Sequence, residues 1–346
     1  RLHQDLLKEL FMKPLIYLIA TGGTIASNYV ASKDDLVAPA TVNDLITATP
    51  DLHAFAKIKS VQHSNITSDL MEISAVVELG KLVRTLLKED SVSGIVITHG
   101  TATLEETAFF LDLTINTEKP VVLTGAMRNL SETDADGPRN IFHSVLTAAH
   151  IESRGRGVLV CFNGEIHSAR NAIKVHSMHV NAYASRDSGA LGNVSKDGLI
   201  YFAYPERCIF LDTEEMNANV QLLKITQGID DLLIRACIKK AVDGIVIEGI
   251  GAGNVNIPYY EAVCDALEAG IPVVVGHRMM AGSPFFNKGH KGSFRSMIER
   301  GAISSGYLSC EKARILLMVI LSFTDEIDKI RKKFAQFSNI KPILKI

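Results

Sequence analysis

The chain has 346 residues, 47% of them hydrophobic and 21% charged. That is the balance of a folded globular protein, and the length is too great for one comfortable core, so two domains are expected. With 36 basic against 38 acidic residues, the net charge is −2, which gives neither nucleic acid nor an anionic membrane an electrostatic reason to bind.

No apolar run reaches the roughly 18 residues of a membrane-spanning helix. Five cysteines are scattered and never paired as CxxC, which favours reduced thiols in a cytoplasmic protein over a disulfide frame or a zinc site. The first residues, "RLHQDLLKELF", are amphipathic and lack the apolar core and cleavage site of a secretory signal. Residues 1–11 are read as an N-terminal extension or a cloning remnant.

From Met12 onward, apolar runs alternate with stretches of helical periodicity. "LIYLIAT" (Leu15–Thr21), "GIVITHG" (Gly94–Gly100), "PVVLTGA" (Pro120–Ala126) and "GVLVCFN" (Gly157–Asn163) are continuous and rich in Val, Ile and Leu. Such runs predict central strands of a parallel sheet covered on both faces. Helices are predicted between them over Thr41–Ala48, Met71–Leu87, Leu104–Leu111 and Asn140–His150.

The pattern turns irregular near Tyr201–Asn217. We therefore expect a domain over 12–203, a linker over 204–218 and a smaller α/β domain over 219–346. In the latter, "GIVIEGIGAGN" (Gly244–Asn254) and "IPVVVGHR" (Ile271–Arg278) predict strands, with helices over Ile257–Glu268 and Glu311–Ile320. The fold class is α/β, with an N-terminal parallel-sheet domain and a smaller C-terminal α/β domain.

The strand ends carry the chemistry. "ATGGTIAS" (Ala20–Ser27) places Gly22, Gly23 and the Thr24 hydroxyl just past a buried strand, where parallel α/β folds build sites. It is neither GxGxxG nor a phosphate-binding loop with its lysine, so nucleotide binding is a poor reading. Taken singly, it reads as a glycine-rich turn with a capping threonine. "ITHGTATLEET" (Ile97–Thr107) is a second such turn, with Thr101 and Thr103 flanking Ala102, and its threonines also suit a cap for the helix beginning at Leu104. His99, inside an apolar strand end, reads as a satisfied structural group.

In "LTGAMRNLSETDADGPRN" (Leu123–Asn140), Asp134 and Asp136 lack further spaced oxygen ligands, so a solvated loop is expected over a cation site. Lys174 stands amid little charge. A lysine beside a threonine hydroxyl can take its proton if burial lowers its pKa, although an exposed strand lysine is the commoner case. His176 and His179 lack the third ligand of a metal site.

Together, "TGGTIA", "THGTATLEET", "KPVVLTGAMR", "DADGPRN", "GIGAGN" and "GYLSCEKARILL" resemble the bacterial-type L-asparaginases, in the same order and from about Lys13 to the C-terminus. The resemblance implies a two-domain α/β fold assembled as a homodimer or homotetramer. It also implies no metal or organic cofactor, and hydrolysis of a small-molecule side-chain amide through an acyl-threonine. Thr24 matches the family's nucleophile, Thr101 its second catalytic threonine and Lys174 the lysine that interacts with it. Asn254 falls where the family reaches the substrate across the subunit interface. Backbone N–H groups at Thr101 and Ala126 are candidates to hold the oxyanion.

Three positions depart from the family. Ala102 replaces the aspartate of "HGTDT", which in the family contacts both the lysine and the substrate's α-ammonium. His63, followed by Ser64, stands where a small hydroxyl residue holds the α-carboxylate. Leu36 stands where a loop tyrosine is usual, with Tyr29 earlier in the loop as a candidate substitute.

Changes at three places favour natural divergence over a single engineered substitution. The expected function is an asparaginase-type amidohydrolase acting on asparagine or a related small carboxamide. A silent ligand-binding homologue remains the alternative, as does the asparaginase-like subunit of a tRNA-dependent amidotransferase. The latter usually carries an added N-terminal domain, for which the residues before Met12 are too few.

Overall fold

The apolar runs become strands because each is flanked by a turn signal and buried on both faces. In the protein's structure, a computed structural model describing residues 13–30, 35–205, 209–286 and 289–337, the chain divides into two units, Arg1–Arg207 and Cys208–Ile346. Residues 1–11 lie outside the described residues.

The strands of the first unit are β1 (Leu15–Ala20), β2 (Ser27–Val30), β3 (Asp35–Pro39), β4 (Lys57–Gln62), β5 (Val92–Thr98), β6 (Val121–Thr124), β7 (Val158–Phe162), β8 (Glu165–Ser168), β9 (Ala172–Lys174), β10 (Tyr183–Ser185), β11 (Gly192–Ser195) and β12 (Gly198–Tyr201). Eight of them form one sheet in the order β12-β11-β8-β7-β6-β5-β1-β4. From β4 to β7 the neighbours run parallel, while β8, β11 and β12 continue the sheet antiparallel. The sheet is therefore mixed rather than wholly parallel. The short turn after β7 makes the difference, because a tight turn can only return the chain antiparallel.

Alternation decides which side chains meet which helix. Ile16, Leu18 and Ala20 of β1, Val96 of β5, Val122 of β6 and Leu159 of β7 share a core with Ile141, Val145 and Ala148 of the helix Gly137–Ala149. Burying each larger aliphatic side chain contributes about 1.5–3 kcal/mol. The helix Leu104–Thr114 is buried at Leu104, Phe109, Phe110, Leu111 and Leu113.

Sequence-predicted helices reappear with small boundary shifts, at Val42–Thr47, Ile73–Leu87, Leu104–Thr114 and Gly137–Ala149. Thr41 and Asp44 form a capping box on the first. Thr103 does not cap the third: its hydroxyl donates to the Ser68 carbonyl at 2.9 Å.

In the second unit β13 (Val220–Lys224), β14 (Gly244–Gly249), β15 (Val273–His277) and β16 (Ile303–Ser304) form a four-stranded parallel sheet in sequence order. The predicted helices appear there as Ile257–Glu268 and Cys310–Leu321, and sequence periodicity had not marked Leu232–Lys239, Phe294–Glu299 or Ile327–Ala335.

β1 lies between β4 on one side and β5 on the other, so the strand order reverses at the β1–β5 boundary. In open α/β sheets the crevice beyond the carboxyl ends at such a boundary is where ligands bind. Thr24 follows β1 and Thr101 follows β5, so both stand at that boundary.

Candidate active site

Two glycine turns carry the threonines into contact. Gly22 and Gly23 hold φ of +109° and +84°, a region that side chains rarely enter. A Cβ on Gly23 would collide with the backbone of Gly100, and one on Gly22 with the backbone of Ile66. Each threonine therefore follows a glycine pressed against the opposite turn, which requires that both glycines lack side chains. Thr24 opens a short 3₁₀ turn, Thr24–Ala26, whose Ile25 and Ala26 are buried. Thr24 is half-buried, and its hydroxyl has no hydrogen-bond partner among the described residues.

Thr101 is held on three sides. Its hydroxyl accepts from the Lys174 Nζ at 2.7 Å, and its carbonyl accepts from the Tyr183 hydroxyl at 2.7 Å. Lys174 and Tyr183 face each other as a pair in the β9–β10 ladder. The Lys174 backbone N–H in turn donates to Glu105 Oε2, in the first turn of the helix Leu104–Thr114. On the third side, a Cβ on Gly125 would lie 2.9 Å from Thr101 Cγ2, which seats the end of β6 against the threonine.

Burial pushes the Lys174 ammonium below its usual pKa, and the Glu105 carboxylate opposes that shift. Burial, followed by Glu105, raises the Tyr183 phenol well above its usual value, so that Tyr183 stays a hydrogen-bond donor.

His99 fulfils the structural reading. Its Nδ1 lies 2.8 Å from the Gly100 carbonyl and its Nε2 3.0 Å from the Thr107 hydroxyl. Complete burial drives its pKa down to about 4, so the ring is neutral, and donation from Nδ1 leaves Nε2 to accept from Thr107.

Asp136, expected in a solvated loop, is buried instead. Its carboxylate accepts from the Met127 N–H (3.1 Å), the Arg128 N–H (2.8 Å) and Asn140 Nδ2 (3.1 Å). It thereby fixes the turn that follows Ala126, and Ala126 is itself buried. The backbone N–H groups of Thr101 and Ala126 donate to none of the described residues.

The remaining predicted residues are placed as follows. The exposed Ala102 sends its N–H to Ser68 Oγ at 3.1 Å. His63 and Ser64, past the end of β4, are turned to other partners: His63 Nε2 lies 3.4 Å from the Ala75 carbonyl, and the Ser64 hydroxyl donates to the Thr21 carbonyl at 2.8 Å. It is Ser68, a residue sequence reasoning missed, that lies against Gly100 and Ala102.

Asn254, in the second unit, accepts from the Phe294 N–H through Oδ1 at 3.0 Å. Position 29 stands opposite position 36 in the β2–β3 register, while their side chains lie outside the described residues. His176 and His179 stack at 3.7 Å. Among the described residues no group of three or more His, Cys, Asp or Glu is arranged to hold a metal.

Comparison with known proteins supplies the rest. The family model described as Asparaginase, N-terminal, matches residues 15–207. The Glutaminase/Asparaginase C-terminal domain matches 219–334. The chain belongs to the asparaginase family.

Among its asparaginase relatives is L-asparaginase 2 of Escherichia coli K12, 34% identical over 338 residues that cover 94% of this chain and 93% of the relative. A probable periplasmic L-asparaginase of Haemophilus influenzae is 34% identical over 332 residues, with 94% and 93% covered. The crystal structure of a probable cytoplasmic L-asparaginase from Campylobacter jejuni superposes with a TM-score of 0.84 at 33% identity, over 93% of this chain and 99% of that one. L-asparaginases are hydrolases acting on amides, and this member of the family is an enzyme of that class. No helix among the described residues is long and apolar enough to cross a membrane.

Proposed function

We propose that this asparaginase-family enzyme hydrolyses the side-chain amide of asparagine, or of a related small carboxamide, through an acyl-threonine at Thr24. One observation carries the reading: the 2.7 Å contact between Lys174 Nζ and Thr101 Oγ1, beside the turn that bears Thr24. A hydroxyl is a weak nucleophile and needs a neighbouring base.

The Thr24 hydroxyl attacks the amide carbon, and its proton passes by way of Thr101 to neutral Lys174. The N–H groups of Thr101 and Ala126 hold the oxyanion of the tetrahedral intermediate. Collapse breaks the C–N bond, and the departing nitrogen takes that proton back from Lys174 by way of Thr101 to leave as ammonia. Water then attacks the ester carbonyl, releasing the carboxylate and restoring the Thr24 hydroxyl.

His63, Ser64 and Ala102 shape the substrate end, where Ser68 joins them. In a homodimer or homotetramer, Asn254 of one subunit serves the site of another. The four described cysteines are free, which supports a cytoplasmic setting.

The test is acid quenching during turnover followed by proteolytic digestion and peptide mass mapping. Wild type accumulates a covalent adduct on the peptide carrying Thr24, and Thr24→Ala forms none while losing ammonia release. Full turnover by Thr24→Ala overturns the assignment.

The methyl of Ala102 favours one second reading, a silent ligand-binding homologue. It prevails if a broad amide panel yields no ammonia while asparagine or aspartate still raises Tm.

A further inference from the structure

Lys174 reaches Thr101 from a strand only three residues long, and among the described residues β9 pairs with β10 alone. A flexible four-carbon stem on so short a strand does not hold an amine at 2.7 Å without help. The help is visible at its backbone. The Lys174 N–H donates to Glu105 Oε2, from a residue four places beyond Thr101 on the helix that the Thr101 turn feeds. The Tyr183 hydroxyl, opposite Lys174 in the ladder, donates to the Thr101 carbonyl. The contacts close a ring: Thr101 hydroxyl to Lys174 amine, Lys174 backbone to Glu105, and Tyr183 back to Thr101.

We propose that Glu105 is the positioning residue of the Thr101–Lys174 pair, its carboxylate pinning the strand end that bears the amine and supplying the countercharge that the methyl at position 102 does not. This rests on the relay reading of Thr101 and Lys174 given above. Among the described residues, the charged group acting on the amine is Glu105 from the helix, while Tyr183 stands opposite Lys174 in the paired strand.

A carboxylate beside an amine favours the ammonium form, so Glu105 sets how acidic the solution can become before the base is lost. Burial pushes the amine's pKa down, and the Glu105 carboxylate opposes that shift. The sign follows directly. Glu105→Gln keeps an oxygen to accept the Lys174 N–H but removes the charge, so Lys174 holds its proton less tightly and stays neutral to lower pH.

The test uses the full-length protein and two readouts. The first is acetylation of Lys174 by a trace of acetic anhydride across a pH series, read by mass spectrometry, which reports the amine's protonation whether or not substrate turns over. The second is the acid limb of kcat/KM for the best amide of a panel that includes asparagine. In Glu105→Gln both midpoints are expected to move down by about one pH unit, the lower end of the shift an opposite charge gives at such range. Glu105→Asp, which keeps the charge, is expected to return them towards wild type.

A well-folded Glu105→Gln whose labelling midpoint stays in place overturns the proposal, even if its rate falls, since a merely structural glutamate lowers rate without moving protonation. Lys174→Met separates the two readings. If Lys174→Met turns over at the wild-type rate, the relay fails, while the labelling midpoint still decides whether Glu105 governs the amine.

Discussion

Thr24 and Thr101 are the same residue in the same local setting, each following a glycine beyond the carboxyl end of a buried parallel strand. Their surroundings differ. The Thr101 hydroxyl touches an amine at 2.7 Å and its carbonyl is clasped by a buried phenol. The Thr24 hydroxyl meets no hydrogen-bond partner among the described residues. A hydroxyl tied into a network holds a fixed position and passes protons, whereas one without a protein partner is left to meet a ligand. A shared motif here stands in two different settings.

The contrast is broken most severely at Thr24 itself. Thr24→Ala is expected to lower kcat for the best amide by about a thousandfold or more, the scale of losing a nucleophile, with Tm little changed because the half-buried hydroxyl bonds to none of the described residues. Ammonia release and a thermal melt check both halves.

Lys174→Met comes next. Removing the amine while keeping the stem is expected to cost about a hundredfold or more in kcat, in the range of general-base catalysis. It should also flatten the acid limb of the pH–rate profile, measured by steady-state assays between pH 5 and 10.

The rigidity of the Thr101 side has a signature in stability. His99 titrates at about 4 in the fold against an ordinary 6.5, so between those values the unfolded chain binds a proton that the folded one refuses. Its contribution is therefore full above pH 6.5 and is lost as pH falls towards 4, by about 3 kcal/mol at most. Urea melts across that window should show the slope, and His99→Gln should remove this part of it.

The smallest effect is a gain. Ala102→Asp is expected to raise activity towards asparagine about tenfold, by placing a carboxylate at the substrate end of the Thr101 turn. No gain, together with turnover of an amide lacking an α-ammonium, marks a site re-specialised for another substrate.

Much of the fold was legible in the chain, for local reasons. The runs at Leu15, Gly94, Pro120 and Gly157 could only be strands of a covered sheet. The short antiparallel strands β8, β11 and β12 escaped notice because four residues carry too little periodicity to be distinguished from loop. In the site, Thr24, Thr101 and Lys174 stood out through motif and resemblance. Ser68, Glu105 and Tyr183 did not, since an exposed-looking serine, a first-turn glutamate and a strand tyrosine are each ordinary.

The amino-acid order by itself thus determined where strands end in glycine turns, because positive φ and close backbone approach admit little else at Gly22 and Gly23. It also set which hydroxyls stand at those ends. Only the tertiary structure decided what each hydroxyl meets. The contacts that distinguish Thr101 join residues 34, 69, 73 and 82 positions apart, and no local propensity encodes a distance across a sheet. Pairing β9 with β10 and seating both against one helix turn is a packing outcome, and it is the packing that gives the Thr101 hydroxyl and carbonyl their partners.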